Sequence, residues 1–378
     1  MEISGIICEY NPLHLGHRKQ IDFLRSQGHA VVCVMSGNFV QRGHPAIFDK
    51  MVRAKAAVAC GADLVIELPL NAAISSAEGF ASTGVQILSR ICDNICFGVE
   101  TADAEALLAT AEMLLSPAFS ERLRIHLDKG LSFPAAREEA VTDCGLNGGL
   151  LASPNNILAV EYCKAILMQH SALKPLPIQR LGSYHDLIAD ASNPSATALR
   201  ALMQADKPWQ NFVPAEAAAV FADAPVHTLA SAETAIIYRL RTMTDSEFAS
   251  LPYGSEGLWR KLMHASRQYA TLEEIIAATK SKRYTRSRID RMILSAYLGI
   301  TEEIINASAP YARVLAFNHT GREILNRVKD SGYFVNIGEK TGSYWENLEY
   351  RSGSLYALMS DKPYTADVEG KYRVFYEK

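Results

Sequence analysis

The chain has 378 residues, 48% of them hydrophobic and 21% charged, with a formal net charge of -3. That balance excludes an intrinsically disordered polymer, and it excludes a protein that grips nucleic acid through a global basic field; any such contact must come from a local patch. The length gives room for two or three domains, and no apolar run approaches the ~20 residues a membrane helix needs.

The first predicted element is the apolar run Ile3 to Cys8, a buried strand. The segment before it, Met1-Glu2-Ile3-Ser4-Gly5, lacks the basic n-region of a signal peptide. After the strand come Glu9-Tyr10-Asn11-Pro12-Leu13-His14-Leu15-Gly16-His17. Asn11-Pro12 breaks the strand, and Gly16 lets backbone approach a ligand. A helix starting there turns its free amides and positive dipole end toward an anion. His14 and His17, three apart, share a face of the first turn and can both donate to phosphate oxygens.

Ala30 to Met35, Asp63 to Leu68 and Asn94 to Val99 read as further buried strands, with amphipathic helices at Arg18 to Gln27, Lys50 to Ala59 and Ala77 to Leu88. Strand and helix alternating at this spacing predict an α/β fold: a Rossmann-like parallel sheet covered on both faces, with ligands at the carboxyl ends of the strands. His14, His17, Gly37 and Gly98 fall at or just beyond such ends. Asn38, Gln41, Arg42, Lys50 and Arg53 form a polar loop and helix start after the second strand. Each is solvated surface or a substrate contact.

The seven cysteines run from Cys8 to Cys163. An odd, scattered set fits a reducing cytoplasm better than a disulfide framework. Cys92 and Cys96 have loosely metal-like spacing, but no second pair completes a tetrahedral set, so they read as buried thiols. No protein-held metal is expected.

Further on, Asn155 in Ser153-Pro154-Asn155-Asn156 either caps a helix or offers its amide to a base. Arg180 closes an apolar run and pairs with a phosphate or a surface carboxylate. Ser195-Ala196-Thr197-Ala198-Leu199-Arg200, after Asn193-Pro194, reads either as an ordinary capped helix start or as a second anion-binding turn with Arg200 downstream. Around Asp206-Lys207-Pro208-Trp209-Gln210 the texture becomes that of a linker, and mostly helical sequence begins at Ala215. The expected organisation is a nucleotide-binding domain over residues 1–205 and a mainly helical domain over 206–378, with a buried strand at Arg313 to Phe317.

Within the second part, Lys280, Lys282, Arg283, Arg286, Arg288 and Arg291 crowd a segment whose single acid is Asp290, with Tyr284 among them. Guanidinium groups beside an aromatic suit phosphate contact and base stacking, although a charge run is also what a solvated helix end looks like.

The histidine motif resembles that of the nucleotidyltransferase superfamily, and Ser195 to Arg200 resembles its second motif. Longer strings narrow the likeness: Met35-Ser36-Gly37-Asn38-Phe39-Val40-Gln41-Arg42-Gly43, Asp63 to Pro69, Ser153 to Leu158, Tyr284 to Ile289 and Arg313 to Asn318 resemble bacterial tRNA(Met) cytidine acetate ligases. His44 stands where that family usually carries Glu, and Ser75 where it usually carries Gln.

The resemblance implies that ATP and acetate give acetyladenylate. The acetyl group then passes to the exocyclic amine of the wobble cytidine in elongator tRNA(Met). It implies ATP contacts at Ile7, Cys8, Glu9, Tyr10, Asn11, Pro12, Leu13, His14, Gly16, His17, Gln20, Gly98, Asn155, Arg180 and Ser195. It further implies catalytic roles for His14, His17 and Arg200, a magnesium ion carried with the triphosphate, and tRNA on the basic segment. The alternative is an enzyme that adenylylates a small phosphorylated metabolite with the same two motifs. Nothing in the residues themselves selects acetate over another small acid.

Overall fold

The computed structural model of the protein describes residues 1–179, 195–338, 342–362 and 364–378. Among these residues the strands are β1 (Ile3–Cys8), β2 (Ala30–Ser36), β3 (Phe39–Val40), β4 (His44–Pro45), β5 (Leu64–Leu68), β6 (Asn94–Val99), β7 (Lys174–Gln179), β8 (Ala312–Phe317), β9 (Phe334–Asn336) and β10 (Phe375–Tyr376). Eight of them make one sheet in the order β10-β8-β5-β2-β1-β6-β7, with β9 also on β8, while β3 and β4 form a separate hairpin. The five strands β5-β2-β1-β6-β7 are parallel. β8 runs antiparallel to β5, and β9 and β10 run parallel to β8. The sheet is therefore mixed, and three of its strands come from after residue 311. Of these, β8 covers the edge of β5, which would otherwise present unpaired backbone groups, and β9 and β10 cover β8 in turn.

β1 and β6 lie where the apolar runs predict them, as do the helices Lys50–Ala59 and Ala77–Leu88. Successive side chains enter opposite cores. Ile3, Ile7, Val32, Val34, Leu64 and Ile66 join one core with residues of the helices Ala77–Leu88 and Pro154–Met168. Ile6, Cys8, Val31, Cys33, Met35 and Val65 join the other with Ile21 and Leu24 of the helix Leu15–Ser26. Burial on both faces explains why these strands read as continuous apolar runs. β7 escapes the sequence reading because it is Lys-Pro-Leu-Pro-Ile-Gln, with two prolines, which an edge position tolerates. A third core is helical; it is built mainly from residues between Ala232 and Ile300 and also takes in Phe39 of the hairpin.

A buried ionic cluster ties the late strands to the early ones. Lys50 Nζ lies 3.1 Å from Glu67 and 2.5 Å from Glu369. Arg313 reaches Glu67 at 2.7 Å, Glu349 at 3.0 Å and Glu369 at 3.3 Å. Lys50 is thus a core cation rather than a substrate contact. Arg53, fully buried, likewise turns inward and donates to the carbonyls of Phe48, Glu9, Ser36 and Gly37.

Candidate active site

The sheet changes direction at β1: the chain steps outward to β2 and β5, then returns to β6 on the other side. In open α/β sheets this switch point leaves a crevice at the carboxyl ends of the strands. A cleft of about 250 Å³ lies here, lined by residues including Ile6 to Asn11, His14, His17, Gln20, Gln41, Arg42, Phe80, Phe97, Gly98, Asn155, Leu158, Tyr162, Ser195, Thr197 and Arg200.

The turn after β1 is tightly built. Tyr10 adopts a left-handed φ of 44° with its ring fully buried, and the Asn11-Pro12 bond is cis. Asn11 Oδ1 accepts from Ile47 N at 2.7 Å, fixing this turn to the segment after the hairpin. The helix Leu15–Ser26 then starts three residues before the predicted Arg18, because His14 caps it. His14 Nδ1 accepts from Gly16 N at 3.1 Å, and His17 Nδ1 accepts from His14 N at 3.3 Å. A neutral ring whose Nδ1 accepts carries its proton on Nε2. Both imidazoles are thus set as Nε2–H donors, with ring centroids 3.7 Å apart. Gly16 serves this pair directly, since a Cβ there would press on the His14 ring.

The second motif closes the cleft from the opposite side. Ser195 occupies the N-cap position of the helix Ala196–Gln204, yet its hydroxyl makes no capping bond and instead lines the cleft. Arg200 donates through Nη1 to Asn11 O at 2.7 Å and through Nη2 to Thr197 Oγ1 at 3.1 Å. This places a planar cation against the turn that carries the histidines.

The β6 flank is apolar with a few directed polar groups. Gln20 Nε2 donates to Cys96 O at 3.1 Å. Glu100 accepts from Ser153 Oγ at 2.7 Å and from Asn155 Nδ2 at 2.6 Å. The bond to Glu100 fixes the side-chain amide of Asn155 where the residue lines the cleft. Asn156 Oδ1 accepts from Glu100 N at 3.0 Å, so Asn156 together with Asn155 splices the helix Pro154–Met168 to the end of β6. Phe80, Phe97, Leu158 and Tyr162, which sequence reasoning missed, supply apolar walls for a flat base.

Several expected residues take other places. Leu13 is fully buried in the core, and Pro12 and Gly16 shape the turn without lining the cleft. Asn38 is buried beside the helix start, its Oδ1 accepting from Lys50 N at 2.9 Å, next to the capping Asp49. Arg180 lies outside the described residues. Of the residues weighed after β2, Gln41 and Arg42 reach the cleft.

The basic segment is more neutral than its sequence. Arg286 forms paired bonds of 2.7 Å with Glu273 and also contacts Asp290. Arg283 and Arg288 both bind Glu256, at 2.8 and 3.2 Å. Arg291 turns away from this surface, donating to Gln41 O at 3.3 Å and lying over the Tyr253 ring. Tyr284 is buried, its hydroxyl donating to Glu256 O, and so is withdrawn from base stacking. Lys280, Lys282 and Arg283 remain well exposed.

Two directed imidazoles at a helix start, facing a strand switch point, define a nucleotide site of the nucleotidyltransferase kind. The family model for the HIGH nucleotidyl transferases matches residues 1–370. The tRNA(Met) cytidine acetate ligase of Clostridium novyi is 37% identical with 100% of both chains covered, and that of Clostridium perfringens is 36% identical over 90% of each. The crystal structure of Thermotoga maritima TmcAL bound with alpha-thio ATP superposes with a TM-score of 0.89 at 27% identity, covering 100% of this chain and 99% of that one. The chain belongs to the HIGH nucleotidyl transferase family and, within it, to the tRNA(Met) cytidine acetate ligases.

Proposed function

We propose that the protein joins acetate to the wobble cytidine of elongator tRNA(Met) at the expense of ATP, forming N4-acetylcytidine in the cytoplasm. The observation that carries this reading is the stacked His14–His17 pair with both Nε2–H groups set to donate at the switch-point cleft. Relatives alike over 90 to 100% of their length favour it over adenylylation of a small metabolite. Among the described residues no helix is long and apolar enough to cross a membrane.

In the first step an acetate oxygen attacks the α-phosphorus of ATP, and the bond to the β-phosphate oxygen breaks to release pyrophosphate. The site has to bring a carboxylate up to a triphosphate and stabilise the charge that builds on the phosphate oxygens. His14 and His17, at the positive end of the helix Leu15–Ser26, face that charge, and Arg200 approaches it from the helix Ala196–Gln204. Phe97, Gly98, Leu158 and Tyr162 enclose the adenine, with the Asn155 carbonyl as acceptor for its amino group. Glu9 is the one carboxylate among the residues lining the cleft, and the described residues contain no cluster of three metal-binding side chains. A magnesium ion would therefore be held mainly by triphosphate oxygens and water, with Glu9 beside it, and would neutralise phosphate charge.

In the second step the cytosine amine attacks the acetyl carbonyl, the bond to the AMP oxygen breaks, and the amine loses a proton. The base must leave its stack to reach the cleft, as an anticodon base can. The helical layer after residue 206 is proposed to hold the tRNA, with Lys280, Lys282 and Arg283 as its exposed cations. Incubating the protein with ATP, labelled acetate and tRNA(Met) tests the proposal: labelled acetylcytidine at the wobble position is expected, and its absence from otherwise competent reactions overturns it.

A further inference from the structure

We infer that Arg42 is a substrate-contacting residue of the acetyl-transfer step, holding a backbone phosphate of the RNA beside the target cytidine. The inference rests on the ligase reading above and deepens it. It starts from the order of the sheet. β6 and β2 flank β1 on opposite sides. Gly98, Phe97 and Asn155 belong to the β6 flank, where the base-sized apolar wall lies; His14, His17 and Arg200 gather around the turn after β1. Gln41 and Arg42 enter the same cleft from the β2 flank, on the hairpin β3–β4. A nucleotide seated on β6 with its phosphates over the β1 turn therefore has its acyl end facing the hairpin, and the second substrate has to arrive from that side.

The hairpin is anchored at both ends of this path. Toward the cleft, Gln41 N donates to Glu9 Oε1 at 2.9 Å. Toward the helical layer, Phe39 is buried in the helical core with its ring edge on Tyr356. Gly43, at φ 82°, lies so close to the helix Arg286–Leu298 that a Cβ would collide with the backbone of Asp290 and Arg291. His44 Nε2 lies 3.4 Å from Asp290, and that carboxylate also takes Arg286 Nε at 3.2 Å. The exposed Arg42 side chain thus sits at the cleft on a loop whose other side rests on the helix that follows the exposed lysines. A guanidinium suits this place, because its fixed fork binds a phosphodiester in two contacts and so fixes the splayed nucleotide's direction.

The test uses the full chain carrying Arg42→Ala or Arg42→Lys. Acetate-dependent ATP–pyrophosphate exchange without RNA reports the first step; transfer from chemically prepared acetyladenylate to a tRNA(Met) transcript reports the second. Loss of a charged contact predicts that transfer kcat/KM falls about 10- to 100-fold more than exchange, chiefly through KM for tRNA, with partial recovery in Arg42→Lys. Equal losses in both steps would place Arg42 on ATP and overturn the inference, as would no loss in either. If the unmodified protein performs neither step, the ligase reading itself fails, and this inference falls with it.

Discussion

The imidazoles of His14 and His17 stack with ring centroids 3.7 Å apart and planes 20° from parallel, each accepting a backbone N–H of the same turn through Nδ1. Each ring therefore serves the turn through Nδ1, and the proposed mechanism gives Nε2 the separate task of donating into the cleft. His17→Asn keeps an acceptor near Nδ1 and removes the distal donor. Acetate-dependent exchange is expected to fall about 100-fold or more while the thermal midpoint hardly moves. Unchanged exchange would remove His17 from the phosphate-binding role.

Arg200 holds Asn11 O and Thr197 Oγ1 with the two arms of one guanidinium. A lysine cannot span both while presenting charge to a phosphate. Arg200→Lys is therefore expected to lose nearly as much exchange as Arg200→Ala, on the order of 100-fold. Full activity in the lysine variant would show that only the positive charge matters.

Glu273 and Glu256 neutralise much of the basic segment, leaving Lys280 and Lys282 as exposed cations that form no salt bridge among the described residues. Replacing both lysines with alanine is expected to weaken tRNA binding and reduce the slope of log affinity against log salt by about 1 per residue. Glu273→Gln is expected to strengthen tRNA binding by releasing Arg286. An unaltered salt slope in the double lysine variant would move the RNA to another surface.

The buried cluster of Lys50, Arg313, Glu67, Glu349 and Glu369 holds three carboxylates against two cations. Burial, opposed by Arg313 and reinforced by Glu67 and Glu369, pushes Glu349 up to about 7. The folded state thus prefers the protonated acid. Its contribution is fully present below the ordinary glutamate range and is lost as the pH rises through about 7. Glu349→Gln should therefore flatten the fall in thermal midpoint between about pH 5 and pH 8, and it should be the more stable form at the alkaline end. Parallel pH profiles for the two proteins would show that Glu349 is ionised throughout.

What the sequence could reveal followed from how local each feature is. β1, β6 and the helix Lys50–Ala59 announce themselves because their burial is written in consecutive residues, and the His14–His17 turn because its glycine, proline and histidines stand within a few positions. Phe80 and Tyr162 carry no such mark; packing across the switch point brings them to the cleft. The ion pairs of Arg286 and Arg288 carry no local mark for the same reason, since their acidic partners Glu273 and Glu256 lie 13 and 32 residues away. β8 was legible as an apolar run, but its antiparallel place beside β5 was not, because the pairing depends on the ionic cluster and on Asn318 meeting Asp63.

The central claim is that this cleft makes acetyladenylate, and ATP–pyrophosphate exchange across acetate, formate, propionate and phosphorylated metabolites measures that directly. Exchange driven by acetate in the absence of tRNA is the predicted result. Exchange that appears only with a phosphorylated metabolite would contradict the account and make the protein a small-molecule nucleotidyltransferase.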